Sequence, residues 1–183
     1  MVMNAPSSSK PFDPDYIAPA GKVYQLMVAS FLAAEFDRKK TLEARGATLV
    51  TSSVSLLTLV TALTVLVAGK DYVFRDHRAF MVLLVALAAF IAAGAVGVFV
   101  QTYGFKFRVM DAATLEVLAN QPNWERTADD AARNWVHWQV MSICTLREGN
   151  NTKAALIGIG LGFQLLAIVL LAVSVGIELS GRL

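Results

Sequence analysis

Residues 79–105 read AFMVLLVALAAFIAAGAVGVFVQTYGF, 27 positions without an Asp, Glu, Lys, Arg or His. An α-helix rises about 1.5 Å per residue against a hydrocarbon core of roughly 30 Å, so about 20 apolar residues cross a bilayer. The run shows no alternation and is too long for a barrel strand. A soluble core helix is rarely apolar on every face over so many turns. Two more uncharged runs have the same character: 46–69, containing TLVTSSVSLLTLVTALTVLV, and 154–177, AALIGIGLGFQLLAIVLLAVSVGI, of 24 residues each. The three runs hold 75 of the 183 residues, and the other 108 carry all 30 charges. Charged residues make up 16% of the chain, against about 25% in a soluble domain. The expected fold is an all-α membrane protein of three transmembrane helices. An ordinary soluble globule, a disulfide scaffold and a disordered tail are excluded.

The Lys/Arg distribution orients the spans. Lys10, Lys22, Arg38, Lys39, Lys40 and Arg45 precede the first run, and Lys106, Arg108, Arg126, Arg133, Arg147 and Lys153 lie between the second and third. With three spans these regions share a side. The opposite side holds Lys70, Arg75, Arg78 and Arg182. Twelve against four places the N-terminus in the cytoplasm. The opening MVMNAPSSSKPFDPDY has no apolar core and reads as a disordered tail rather than a signal peptide. The lone Cys144 falls on the cytoplasmic side, where thiols stay reduced, and excludes an internal disulfide or a multi-Cys metal site.

The order along the chain is a tail (1–20), a cytoplasmic helix (21–45), a first span (46–69), an external loop (70–78), a second span (79–105), a cytoplasmic helical hairpin (106–153), a third span (154–177) and an external tail (178–183). Pro19 and Gly21 open a helix that continues into the first span, with Val23, Leu26, Met27, Phe31 and Ala34 as its apolar stripe. Pro122 and Asn123 mark the start of another that leads into the third, with Trp124, Ala128, Ala131, Trp135, Trp138 and Ser142 on one face. The second span is expected to continue as FKFRVMDAATLEVLAN. None of the three extensions is long enough to fold alone, so they should pack as a helical stalk with the tryptophans in its core. The alternative use of the tryptophans is as a stacking surface for a ligand base.

No catalytic motif is present. His77 and His137 fall on opposite sides of the membrane and cannot share a metal, and no span holds an ionisable pair, which argues against an ion-coupled carrier. The expectation is no enzyme and no metal. The first span is rich in hydroxyls, and Thr51, Ser55 and Thr58 share a stripe with Ala62. They serve either as contacts between helices or as the wall of a pore formed by several copies. Ala89, Ala93 and Gly97 in the second span, and Gly158 and Gly162 in the third, are small residues four apart that let helices approach closely, within one protomer or between copies. Gln164, in mid-span, wants a polar partner, most simply a hydroxyl of the first span. Arg38, Lys39, Lys40, Arg45, Arg147 and Lys153 gather at the cytoplasmic membrane edge as lipid anchors, or as the holders of a small anionic ligand. In the second reading Arg45, Arg147 and Lys153 take the anion, and Trp135 or Trp138 offers a flat face. The cytoplasmic parts carry 12 positive and 11 negative residues, which excludes long nucleic acid as a partner. The bilayer and a second copy of the chain are the expected partners.

Two segments, FDRKKTLEARGATLVTSSVSLLTLVTAL and REGNNTKAALIGIGLGFQLLAIVLLAV, carry a resemblance. With Glu43-Ala44-Arg45 before the first span and Arg147-xx-Asn150-Asn151-x-Lys153-Ala154 before the last, residues 33–175 resemble the Pycsar transmembrane effectors of bacterial anti-phage defence, and related bacterial membrane proteins of unknown function. The resemblance implies a homo-oligomeric effector that perceives a cytoplasmic signal, a cyclic pyrimidine mononucleotide in the Pycsar case, and then impairs the membrane. The chain departs from that pattern in having no separate nucleotide-binding domain, so a ligand would lie between stalk helices or between copies. The contrasting expectation is a scaffold whose cytoplasmic helices dock a partner protein.

The charge asymmetry makes a direct prediction. A reporter active only in the periplasm should give signal when fused after Leu183 and none when fused before Met1; the reverse pattern would overturn the topology.

Overall fold

The computed structural model describes residues 13–68, 76–105, 112–119 and 126–180, with all of their side chains but those at 63–68, 112 and 118. Four helices account for nearly all of these residues: α1 (Pro19–Ala68, 50 residues), α2 (His77–Thr102, 26), α3 (Ala112–Ala119, 8) and α4 (Ala128–Ser180, 53). No strand occurs among the described residues. Among them, α2 and α4 are long and apolar enough to cross a membrane. The chain's contacts divide it into two units, one of residues 1–34 with 107–145, the other of 35–106 with 146–183.

Helix boundaries follow local chemistry. Pro19 starts α1, where its missing N–H costs nothing, and the Lys22 N–H donates to the Ala18 carbonyl at 3.2 Å. Asp76 caps α2 by accepting the Arg78 N–H at 2.8 Å. Thr127 caps α4, its hydroxyl accepting the Asp130 N–H at 3.3 Å. That start lies beyond the expected Asn123 cap, which falls outside the described residues, as does Trp124. The second apolar run does not continue as one helix. Tyr103 turns to an extended conformation (ψ 95°) while its N–H still bonds Phe99 at 2.7 Å, and α3 is a separate element. By contrast α4 passes through Gly149, Asn150 and Asn151 without a break.

In the second unit the three long helices pack on a seven-residue repeat, the period of coiled-coil packing. On α4 the inward positions are Leu146, Asn150, Lys153, Ile157, Gly160, Gln164, Ala167, Leu171, Ser174 and Glu178, spaced alternately four and three apart. On α1 they are Glu35, Lys39, Leu42, Gly46, Leu49, Ser53, Leu56 and Val60. On α2, Ala79, Ala86, Ala93 and Val100 recur every seven residues and are fully buried. Leu42, Val100 and Ile157 form one three-helix layer. Ala89, Phe90 and Ala167, with Leu56 against them, form another.

Glycines set the closest approaches. A Cβ on Gly97 would stand 2.8 Å from the Gly46 carbonyl and 2.8 Å from Val50 Cγ2, so α1 and α2 touch nearly backbone to backbone. Within the third apolar run the contact glycine is Gly160, covered by the Leu49 side chain, whereas Gly158 and Gly162 meet nothing within 4 Å among the described residues. The Gly158–Gly162 ridge is therefore not used among the described residues.

The first unit has its own packing. Val28, with Gly21, Gln25 and Leu32 in the same line on α1, and Ala132, Val136, Gln139 and Ile143 on α4 are its inward positions. Asp129 Oδ1 accepts the Ala18 N–H at 3.3 Å, and the Ala128 N–H donates to the Pro14 carbonyl at 3.0 Å. The stripe expected to be packed here is instead open: Val23, Leu26, Met27 and Phe31 are 61%, 75%, 42% and 48% exposed. The buried line runs one residue away, through Val28. Trp135 is also half exposed and Trp138 is half buried, so the described tryptophans do not form a closed core.

These contacts predict opposite outcomes for two glycines. Gly97→Ala should lower thermal stability in detergent by about 1–3 kcal/mol, the usual cost of overfilling a packed contact. Gly162→Ala should fall within about 0.5 kcal/mol of the parent. Thermal unfolding of the two variants checks both.

Candidate functional site

The strongest concentration of chemistry in the second unit is a polar layer between α1 and α4, just before the third apolar run. It exists because the inward line of each helix places polar residues where neighbouring turns place leucine and isoleucine. Glu35 is 6% exposed, Asn150 fully buried and Lys153 1% exposed. Arg147 Nε donates to Glu35 Oε1 at 2.8 Å. Asn150 Nδ2 donates both to Glu35 Oε2 at 3.0 Å and to the Glu35 carbonyl at 2.9 Å. Arg38, one turn along α1, lies 3.6 Å from Glu35 Oε2 and donates to Asn151 Oδ1 at 2.9 Å. One turn further, Lys153 Nζ donates to Glu43 Oε1 at 2.7 Å.

An aromatic lid completes the layer. The Phe105 ring, just past the end of α2, stands 5.5 Å from Lys153 Nζ in cation–π geometry. It also packs directly on Gly149, where any side chain would collide with it. Gly149 is the seat of this ring. All three long helices thus meet at one buried, charged level.

Burial by itself would raise the Glu35 pKa, because it disfavours the charged form. The hydrogen bonds from Arg147 and Asn150 and the charges of Arg147 and Arg38 outweigh it, and the carboxyl is held below its ordinary value of 4.5. Asn150 Oδ1 is buried without a partner, as are Ser53 Oγ and Gln139 Oε1.

The residues expected from sequence to hold an anion fall as follows. Arg147 and Lys153 are both in the layer, but each already holds an internal carboxylate. Lys153 is turned into the protein rather than toward lipid heads or solvent. Arg45 is exposed on α1, and Trp135 and Trp138 belong to the other unit. Sequence reading missed Glu35, and took Glu43 only as part of the motif Glu43-Ala44-Arg45, not as a partner of Lys153. The signal that could have found Glu35 is the seven-residue line on α1, which runs Val28, Glu35, Leu42, Leu49.

The interhelical candidates sort by face. Gln164 Nε2 donates to Ser52 Oγ at 2.9 Å, joining α4 to α1 in mid-run. Thr51 and Thr58 are exposed and donate to carbonyls of their own helix at 3.0 and 2.9 Å, and Ser55 on the same stripe is also exposed. The inward hydroxyls are Ser52 and Ser53. At the far end Ser174 Oγ donates to the Ala79 carbonyl at 2.7 Å, and Glu178 accepts the Asp76 N–H at 3.4 Å. Among the described residues no group of His, Cys, Asp and Glu could hold a metal ion.

No protein-family model, curated protein or solved structure matches this chain.

The layer predicts an acid limb in stability. Because Glu35 has a lower pKa folded than unfolded, its contribution is complete above about pH 4.5 and is lost as pH falls through the folded value. The melting temperature of the protein in detergent should therefore drop more steeply below that pH than that of Glu35→Gln. At neutral pH Glu35→Gln should itself be less stable, by about 1.5–3 kcal/mol for charge-assisted bonds lost.

Proposed function

We propose that this chain is a three-span protein of the bacterial inner membrane, with its N-terminus in the cytoplasm, and that assembled copies form an effector that permeabilises the membrane on a cytoplasmic signal. The first span is residues 46–69, nearly all of them in α1; the second is 79–105, most of it in α2; the third is 154–177 of α4. Two helices long and apolar enough to cross a membrane support this reading, as does the resemblance carried by Glu43-Ala44-Arg45 and Arg147-xx-Asn150-Asn151-x-Lys153.

The observation that carries the effector reading is the charged layer itself. Arg147, Asn150 and Lys153 hold carboxylates of α1 with the bonds they would offer a phosphate. An anion competing for these groups would exchange one partner for another at small net cost and release α1 from α4. A buried pair of this kind adds little net stability compared with an apolar one, but its loss without replacement is expensive. That combination suits a joint that must hold at rest and part on a signal. Arg45, exposed beside the layer, would add to the field that attracts the anion. The layer thus replaces a separate nucleotide-binding domain, and the reading includes no catalysis, cofactor or metal.

The alternative, a scaffold that docks a partner protein, shares the exposed apolar residues of α1 but has no use for a separable charged joint. Dye release from liposomes containing the purified protein distinguishes them. The effector reading expects release on adding a cyclic pyrimidine mononucleotide, and release without it from Glu35→Gln, whose joint is weakened. Tight liposomes under both conditions would remove the effector reading.

A further inference from the structure

A groove between α1 and α4 runs on from the charged layer into the apolar runs. Its edges follow from the seven-residue frame. On α4, Arg147, Asn151, Ala154 and Gly158 share one edge of the inward line, spaced four, three and four apart, while Gly149, which seats Phe105, lies on the other edge. On α1, Arg38, Arg45 and Ser52 recur every seven residues on the facing edge, marked by the Arg38–Asn151 and Ser52–Gln164 bonds. The opposite edge of α1 carries Val50, which meets Gly97 of α2. The groove therefore opens on the side away from α2.

Contacts between the two helices repeat seven residues on. Glu35 bonds Asn150, and Leu42 and Ile157 share a core layer. By the same step the Arg38–Asn151 contact recurs as Arg45 facing Gly158. Arg38 finds an amide oxygen at 2.9 Å; Arg45 finds a residue with no side chain. A Cβ on Gly158 would meet nothing within 4 Å among the described residues, and the floor beside it is Ala154, packed on the Leu42 layer. Arg45 is exposed and has no hydrogen-bond or ion-pair partner among the described residues. An unpaired cation thus stands over an open notch.

We propose that this notch binds one anionic phospholipid, its headgroup phosphate held by Arg45 with Arg38 and Arg147 above it, and an acyl chain laid along Leu161 and Leu165. The inference rests on the three-span reading above and names a lipid partner that the reading does not.

Depth, charge and shape select a lipid as the occupant. Arg45 directly precedes the uncharged run 46–69, and Gly158 is the fifth residue of the run 154–177, about 6 Å along the helix from its start. A guanidinium at that depth has either to reach up to water or to hold an anion. Arg38 and Arg147, with side chains 42% and 57% exposed, turn more positive charge to the same groove. The carboxylate beneath them, Glu35, is buried and already bonded. The planar fork of arginine suits phosphate. Further in, the groove is apolar. Leu161 continues the line of Arg147 and Ala154, Leu165 continues that of Asn151 and Gly158, and they are 54% and 65% exposed. A water-soluble anion would use the arginines and leave the leucines open; a phospholipid uses both.

The test is native mass spectrometry of the detergent-solubilised protein with dioleoyl phosphatidylglycerol or dioleoyl phosphatidylcholine added at equal concentration, beside carbonate extraction of cell membranes carrying the same protein. The site predicts about fivefold more lipid adduct with the anionic lipid, the factor that one arginine near an anionic surface contributes. Arg45→Gln should lose the preference. Gly158→Leu removes no charge and meets no neighbour among the described residues, so it should fold and lose the preference as well. Lys40→Gln, which removes an exposed cation from another face of α1, should keep it. Equal adducts with the two lipids, or a preference that Gly158→Leu leaves intact, would overturn the notch as a lipid site and reduce the arginines to a diffuse positive edge. If Gly158→Leu splits an assembly of copies without changing the lipid ratio, the notch belongs to a second copy and the proposal falls. Release of the parent protein by carbonate would overturn the three-span reading itself, whereas retention in the membrane with equal adducts overturns the site alone.

Discussion

Helices as long as α1 and α4 stay in contact only if the same face returns at the same angle turn after turn. A straight α-helix repeats every 3.6 residues, and a line of residues drifts off the interface within a few turns unless the pattern repeats at 3.5. In the unit of residues 35–106 and 146–183 both helices keep that pattern, Glu35 to Val60 on one and Leu146 to Glu178 on the other. Everything else there is fitted to it. The α2 helix comes close because its line is mostly alanine and glycine, with Phe90 and Val100 as its two large buried side chains, and its contact of Gly97 on Gly46 leaves no room for a methyl group.

Against this regular frame the charged layer is an exception placed at a chosen height. Leucine or isoleucine at positions 35, 150 and 153 would pack well and avoid the desolvation of three polar side chains. What Glu35, Asn150 and Lys153 add is selectivity. An apolar seam tolerates slippage by one heptad, because leucine meets leucine again. Sliding Glu35 by seven residues along α4 would face its carboxylate with Ile143 or Ile157, and orphan Asn150 as well. A single buried asparagine fixes register in coiled coils for the same reason. Phe105, resting on Gly149 and Lys153, ties the end of α2 to this height.

Much of this was legible in the sequence, for reasons that differ by feature. Uncharged runs of 24 to 27 residues announce helices wherever they occur, and α2 and α4 carry two of them. The continuity of α1 from residue 19 to 68 follows from the absence of a breaker stronger than Gly46. Gln164 had to find a hydroxyl, and Ser52 supplies it. What could not be read was facing. The apolar letters of residues 23–34 lie on all sides of α1, so composition does not say which line turns inward, and the buried line proved to be Val28's rather than Met27's. The spacing Gly158–Gly162 attracts attention as a motif, yet Gly160 makes the contact, because only the seven-residue frame tells the three apart. Glu35 is one charge among several in its segment, and Arg147 and Asn150, which hold it in place, sit more than a hundred residues away.

The outward hydroxyls of α1 have a consequence for how lipid would see this helix. Thr48, Thr51, Thr58 and Thr61 each donate to the carbonyl four residues earlier, at 2.9 to 3.1 Å. A hydroxyl folded back in this way has already left water for a partner on its own backbone, and what it turns outward is its methyl group. Scales of side-chain polarity score threonine as though its oxygen still faced solvent. On this face the four threonines have spent their donors inward, so the helix is oilier than its letters, and what their oxygens still offer outward is acceptor lone pairs alone.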